Sequence, residues 1–282
     1  MTRALLVIGC GEPLFETALH AREAGFVIVI ADARIQATEP SWARRFQPVL
    51  SDDVEALVAL ARTLERETEL VGVYAAGNRG LPAAAAIGAA TGAAAPRVSA
   101  VEQALDPARA AGAWKAARLP HAPSPASLEV NAFFRDGALQ PAGIFVNEAT
   151  AQGPTSFLPG GIDTDDAQAA YALLERGAHA LGIEDGPVSA ALAQPGGDLA
   201  LVQVRPRFLD GLRTARMTPL VYGKSPFQAW FAALADVGGP FDEMPGEPRC
   251  VAGVRGPIHV TGSSQDEVAS KLDAACSVSA VA

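Results

Sequence analysis

The chain has 282 residues and a formal charge of −9, with 49% hydrophobic and 19% charged residues. A chain of that size can bury one large core or two smaller ones, and its acidic balance argues against nucleic acid and anionic membrane as main partners. No run approaches the roughly eighteen apolar residues of a membrane span, and MTRALLVIGCG is too short and too soon broken by glycine for a signal peptide.

In chain order, ALLVIG is a short continuous apolar run of the kind that forms a buried parallel strand. Gly9-Cys10-Gly11 then turns into a helix with Pro13 in its first turn. FVIVIAD is the next strand and ends at Asp32. A helix over 53–67 is expected to be capped by Ser51 or Asp52, VGVYAAG is a third strand, and LPAAAAIGAATG is a helix. This alternation predicts a doubly wound parallel sheet over residues 1–95, with ligands at the carboxyl ends of its strands.

Residues 96–128 read as an alanine-rich helix, DPARAAGAWKAARL, and a linker, PHAPSPAS, whose prolines remove donors and forbid regular structure. The linker is expected to cross an exposed surface and to join two separately packed lobes. Beyond it the pattern turns antiparallel. VNAFF and LQPAGIFV flank Asp136-Gly137, and PVSAALA and DLALVQV flank Pro195-Gly196-Gly197, giving two hairpins. Helices are expected near 164–181, 225–237 and 264–276.

Several residues carry candidate chemistry. Gly9 and Gly11 with Asp32 resemble the start of a dinucleotide fingerprint, but Leu14 at the third glycine position crowds the helix, and a tight turn needing small residues explains them as well. Cys10 sits where a helix N-terminus lowers a thiol pKa, although no histidine stands at a recognisable distance, and a small packed residue is the simpler reading. The histidines His20, His121, His179 and His259 are scattered without metal-ligand spacing. Cys10, Cys250 and Cys276 are odd in number and far apart, which suits a reducing cytoplasm. Asn78-Arg79 follows a strand end, a position that can hold an anion, although a solvated arginine capping a turn explains it as well. Arg205 and Arg207 end the apolar strand LALVQV, project with Gln203 by the two-residue period, and form the natural clamp for a carboxylate or phosphate. That strand is expected to be central. The competing reading makes these arginines surface residues paired with carboxylates.

The order of elements resembles the ATP-grasp superfamily. The resemblance rests on a Rossmann-like lobe, a proline-bearing linker, a DG hairpin, LGIEDGPVSAAL, LVQVRPRFLDG, a G-x-S-P helix and the stretch TGSSQDEVASKLDAA, and it runs through nearly the whole chain. It implies carboxylate–amine ligase chemistry through an acyl phosphate, using ATP and magnesium. It also implies departures. The family carries a carboxylate near Ala190–Ala191, and it ends the next strand E-x-N-x-R, with Glu and Asn on magnesium. Here Gln203 and Arg205 stand at those two positions and only Arg207 is kept. The family's lid subdomain, with its lysine and glycine-rich loop, falls between the linker and the DG hairpin, where PASLE here runs straight into VNAFF. None of Lys115, Lys224 and Lys271 stands at the lid lysine's position.

The expected fold is therefore α/β, a Rossmann-like (pre-ATP-grasp) domain over 1–95, a helix and linker over 96–128, and a truncated ATP-grasp-like antiparallel α/β lobe over 129–282. The expected function is that of a cytoplasmic relative without ATP or Mg2+ as cofactors, binding a small anionic molecule through Arg205, Arg207, Asn78, Arg79, Gly9, Gly11 and Asp32. A partner ligase or a homodimer is expected, and neither nucleic acid nor membrane. The alternative is an active ATP-dependent carboxylate–amine ligase completed by another chain, and a third option is an unrelated reaction in the same cleft.

Overall fold

The computed structural model describes residues 2–9, 20–33, 45–123, 125–150, 153–158, 162–209, 211–236, 250–254, 259–262, 267 and 270–272. Four parallel strands form the first sheet: β1 (Arg3–Ile8), β2 (Val27–Ala31), β3 (Arg45–Gln47) and β4 (Glu69–Ala75), in the order β3-β2-β1-β4. Strand alternation sorts their side chains between two cores. Leu6, Ile8, Val29, Val73 and Ala75 pack under helices α1 (Val54–Glu65) and α2 (Leu81–Thr91). Leu5, Val7, Ile28, Ile30 and Tyr74 face the opposite way, as the period of two requires. Helix α1 takes its cap from Asp53, whose side chain accepts from the Ala56 amide, rather than from Ser51 or Asp52. The expected helix at Pro13 and most of that at 264–276 lie outside the described residues.

Two helices follow, α3 (Val98–Leu105) and α4 (Pro107–Ala116). The second sheet has seven strands in the order β11-β10-β7-β6-β5-β8-β9. Its strands are β5 (Leu128–Arg135), β6 (Ala138–Thr150), β7 (Gly153–Leu158), β8 (Gly186–Ala193), β9 (Ala200–Arg205), β10 (Cys250–Val254) and β11 (His259–Gly262). Every pairing within it is antiparallel. Both expected hairpins form, β5–β6 and β8–β9. Helix α5 (Thr164–Ala180) lies against one face, with Leu174 and Ala178 packed on Val130, Ala132, Val188, Ala190 and Val204. Gly177 leaves room for Leu201, whose Cδ1 a Cβ would meet at 2.8 Å, and its carbonyl accepts from the Trp114 indole at 3.1 Å. Strand β6 bulges at Ala142-Gly143, where Gly143 has a φ of +118° and its amide donates to the Tyr171 hydroxyl. Only glycine adopts that backbone at low cost.

Helices α6 (Gly211–Tyr222) and α7 (Pro226–Leu234) come next. The second matches an expected helix; the first has no counterpart among the expected helices. Helix α7 departs most from the expectation of two separately packed lobes. Its Phe227, Trp230 and Phe231 enter the same core as Leu5, Ile28 and Tyr74 of the first sheet, Phe133 of the second, and Phe26 and Phe208, which flank β2 and β9. At its end, the Arg3 guanidinium of β1 donates to the carbonyls of Leu234 and Ala235, at 2.8 and 3.1 Å, and lies over the Phe26 ring. A cation on helix C-terminal carbonyls is favourable on both hydrogen-bond and dipole grounds.

The linker is likewise less free than its prolines suggest. Residues Pro120, His121, Pro123 and Pro125 are exposed, but the Ala122 amide donates to the Leu201 carbonyl, the Leu201 amide to Pro120, and the Ser127 amide to Leu192. Ser127 leads directly into β5.

The shared core makes a prediction. Phe227 is 1% exposed, and truncating a buried phenylalanine costs about 3–5 kcal/mol. Phe227→Ala should lower stability by that amount in a single transition, seen alike by far-UV dichroism and tryptophan fluorescence. Two separated transitions would show that the lobes unfold independently.

Candidate functional site between the lobes

The carboxyl ends of β1 and β4 face the end of β9. Gly9 follows β1 with a φ of +83°, its amide donating to Ala31 at the end of β2. Asp32 is buried and engaged within the chain. A 3₁₀ turn, Asn78–Gly80, leads from β4 into α2 with Asn78 and Arg79 exposed. Gly80 is needed there because a Cβ would meet Ile8 Cγ2 at 3.0 Å. Gly11 and Cys10 lie outside the described residues.

Arg207 reaches across the lobes. Its Nε donates to Asn78 Oδ1 at 2.8 Å and its Nη1 to the Phe208 carbonyl at 2.8 Å. Nη2 makes no hydrogen bond among the described residues, nor does Arg79. One edge of the planar fork thus stays open beside the Asn78 amide.

Arg205 goes elsewhere, which corrects the expectation that the two arginines project together. Strand β9 ends at Arg205, and it is the edge of its sheet, not central. The Arg205 guanidinium turns inward and donates from Nη1 to the carbonyls of Ala104, near the end of α3, and of Val204. It is 8% exposed and its Nε has no partner. Burial, with the Arg207 charge adding to it, lowers its pKa to about 10. Neither arginine pairs with a carboxylate among the described residues.

Sequence reading missed the group that holds the Arg207 turn. Asn131, fully buried on β5, donates to Thr214 Oγ1 at 2.9 Å and accepts from the Leu209 amide at 2.8 Å. Thr214 donates to the Leu209 carbonyl, and Ser189 to the Arg207 carbonyl at 2.7 Å. A lone asparagine inside the apolar run VNAFF was the available signal, since a buried amide must be satisfied.

Register aligns Glu129, Ala191 and Gln203 in one cross-strand row, with Asn131, Ser189 and Arg205 in the next row of the same face. Magnesium asks for several oxygen ligands in octahedral array. At the positions where the resemblance calls for carboxylate and amide ligands this face offers Ala191, Gln203 and the cationic Arg205. Glu129 is the one carboxylate in the two rows and is engaged within the chain. These residues do not fit the metal. No group of three or more metal-ligating side chains occurs among the described residues.

Beside this region a cavity of about 290 Å³ opens between the edge of β4 and the second lobe. Tyr74, Phe134 and Trp230 supply its aromatic walls, and Pro206 separates it from Arg207. Burial pushes the Tyr74 hydroxyl pKa well above the ordinary tyrosine value, and the Arg207 charge offsets part of that rise.

No protein-family model and no curated protein matches the sequence. Solved structures do match the fold. An L-amino acid ligase from Bacillus licheniformis is similar at TM-score 0.73 and 15% identity, over 89% of this chain and 79% of that one. Phosphoribosylglycinamide synthetase from Anaerococcus prevotii is similar at 0.77 and 10%, over 96% and 97%. Glycinamide-RNase-transformylase T from Mycobacterium tuberculosis is similar at 0.71 and 18%, over 91% and 85%. The fold is therefore the ATP-grasp fold, with mixed α/β architecture over most of the chain. No helix among the described residues is long and apolar enough to cross a membrane.

Arg205 gives a signed pH prediction. Its folded pKa, about 10, lies below the ordinary arginine value, so above about pH 10 the unfolded chain holds the proton more tightly than the folded one. Burial of the charge opposes folding below that pH, and the penalty fades as pH rises through it. Arg205→Met should therefore be as stable as the wild type at pH 7, or up to about 2 kcal/mol more stable. The difference should narrow above about pH 10, measured by urea unfolding of both proteins. A variant destabilised by more than about 1 kcal/mol would show that the hydrogen bonds to Ala104 and Val204 outweigh the burial.

Proposed function

We propose that this chain is an ATP-grasp relative that has given up ATP and magnesium, and that it binds a small carboxylate or phosphate between its lobes, as a binding or partner protein in a ligase-type biosynthetic pathway. One observation carries the reading. The two positions that the resemblance assigns to metal ligands hold Gln203 and Arg205, and the Arg205 guanidinium is turned inward onto the Ala104 carbonyl. A donor-only cation there repels a divalent ion. Phosphoryl transfer depends on positioning and charge neutralisation, and this face supplies neither by itself. The direct passage of Ser127 into β5 also leaves no segment for a phosphate-covering lid.

Arg207 and Asn78 support the anion reading. They meet across the lobes, with one guanidinium edge open and Arg79 nearby. In a chain of formal charge −9, an anion needs such a local positive patch. Of the residues first expected to contribute, Arg205 acts here through its charge, without contact.

Calorimetry of the intact protein tests both halves. Titration with Mg-ATP should give no saturable heat; a micromolar dissociation constant, about −8 kcal/mol, would overturn the loss of the nucleotide site. Inorganic phosphate and short carboxylates should bind, and Arg207→Ala should weaken that binding about ten- to a hundredfold. Arg207→Lys should restore only part, because a point charge lacks the planar fork. Equal affinities for wild type and Arg207→Ala would remove the anion site.

A further inference from the structure

The cavity beside Pro206 has walls that are mostly apolar and aromatic, with two polar atoms left unmatched. Tyr74 is 5% exposed and Trp230 4%, yet neither the hydroxyl nor the indole N–H makes a hydrogen bond among the described residues. Neither atom is among the polar atoms sealed from solvent, so water can satisfy both, and a ligand acceptor can take that water's place. Val73, Leu81, Phe134 and Leu234 are among the other lining residues, and Arg135 also reaches the lining. Asp185 stands exposed at the lining's edge and pairs with no cation among the described residues.

We propose that this cavity binds a small, neutral, planar ring compound carrying a hydrogen-bond acceptor, a carbonyl or a ring nitrogen, that meets Tyr74 and Trp230. The indole can only donate, and the phenol donates as long as it is protonated. Their joint demand is therefore for acceptor atoms. Flat aromatic walls favour an unsaturated ring by offset or edge contacts. Burying a full charge here would cost far more than burying a carbonyl that is hydrogen-bonded, and Asp185 and Arg135 bring opposite charges to the lining, so neither sign of ligand charge is favoured. About 290 Å³ lies at the small end of ligand pockets, which suits one or two rings. Arg207 and Asn78 do not line the cavity, so its lining is distinct from the anion site, although the Arg207 charge is felt at Tyr74.

The test uses isoindolin-1-one, a bicyclic lactam, and indane, the hydrocarbon of the same shape, with the 15N-labelled intact protein. The chain has three tryptophans, and the Trp230 indole signal is assigned by its loss in Trp230→Phe. The lactam should shift that signal saturably, with a dissociation constant of about 1 mM or below, and leave the Trp114 signal in place. Tyr74→Phe keeps the ring and removes the donor. It should weaken the lactam about three- to tenfold and leave indane unchanged. Ala233→Phe should fill the cavity and abolish both; if that variant fails to fold, the Tyr74→Phe comparison decides alone. No shift up to the solubility limit would overturn the proposal. So would equal binding of lactam and indane with no effect of Tyr74→Phe, because the two donors would then serve water only.

Discussion

The insertion of helix α7 between the two sheets is the contact on which the rest of the structure depends. Phe227, Trp230 and Phe231 fill the space between the parallel sheet and the β5 region, with Tyr74 edge-on to Phe227 at 5.3 Å. Rings of this size bury large apolar areas and pack with defined geometry. The Arg3 guanidinium on the helix's last carbonyls fixes the depth of insertion. Because those rings bind both lobes into one core, the ends of β4 and β9 are held at a fixed spacing. Arg207 can then reach Asn78 without a hinge.

Within that frame, the two arginines of one short motif have opposite tasks. Arg207 stays at the surface, carried by the turn that Asn131, Ser189 and Thr214 secure. Arg205 is withdrawn and ties β9 to α3. The Arg207 charge acts to lower the pKa of both Arg205 and Tyr74, beside burial, which is the larger cause at each. The region is thus electropositive in an otherwise acidic molecule.

Much of the fold was legible because its strands obey simple constraints. ALLVIG and FVIVIAD read as parallel strands since both of their faces are covered, and Asp136-Gly137 could only be a turn. Strands β7, β10 and β11 were not legible, because short runs such as PTSFL carry little periodicity. Helix α6 hid behind its charges and Pro219. The apolar character of β9 suggested a central strand; it arises instead from α3 and α5 packing on an edge. The nearness of Asn78 and Arg207 followed from strand-end logic. The inward turn of Arg205 did not, since its partner carbonyl lies 101 residues away in sequence. Tyr74 and Trp230 drew no notice as single aromatic residues, and only the cavity reveals their unmatched donors.

The segment before β5 has a consequence for the behaviour of many copies together. Strand β9 is the rim of a seven-stranded sheet, and an unpaired rim offers backbone groups to any extended chain. Pro120 and Ala122 occupy both backbone groups of Leu201, and prolines at 120, 123 and 125 cannot themselves extend a ladder outward. What reads in sequence as a tether therefore also works as a guard against edge-to-edge aggregation. A glycine–serine replacement of equal length would keep the connection and lose the guard.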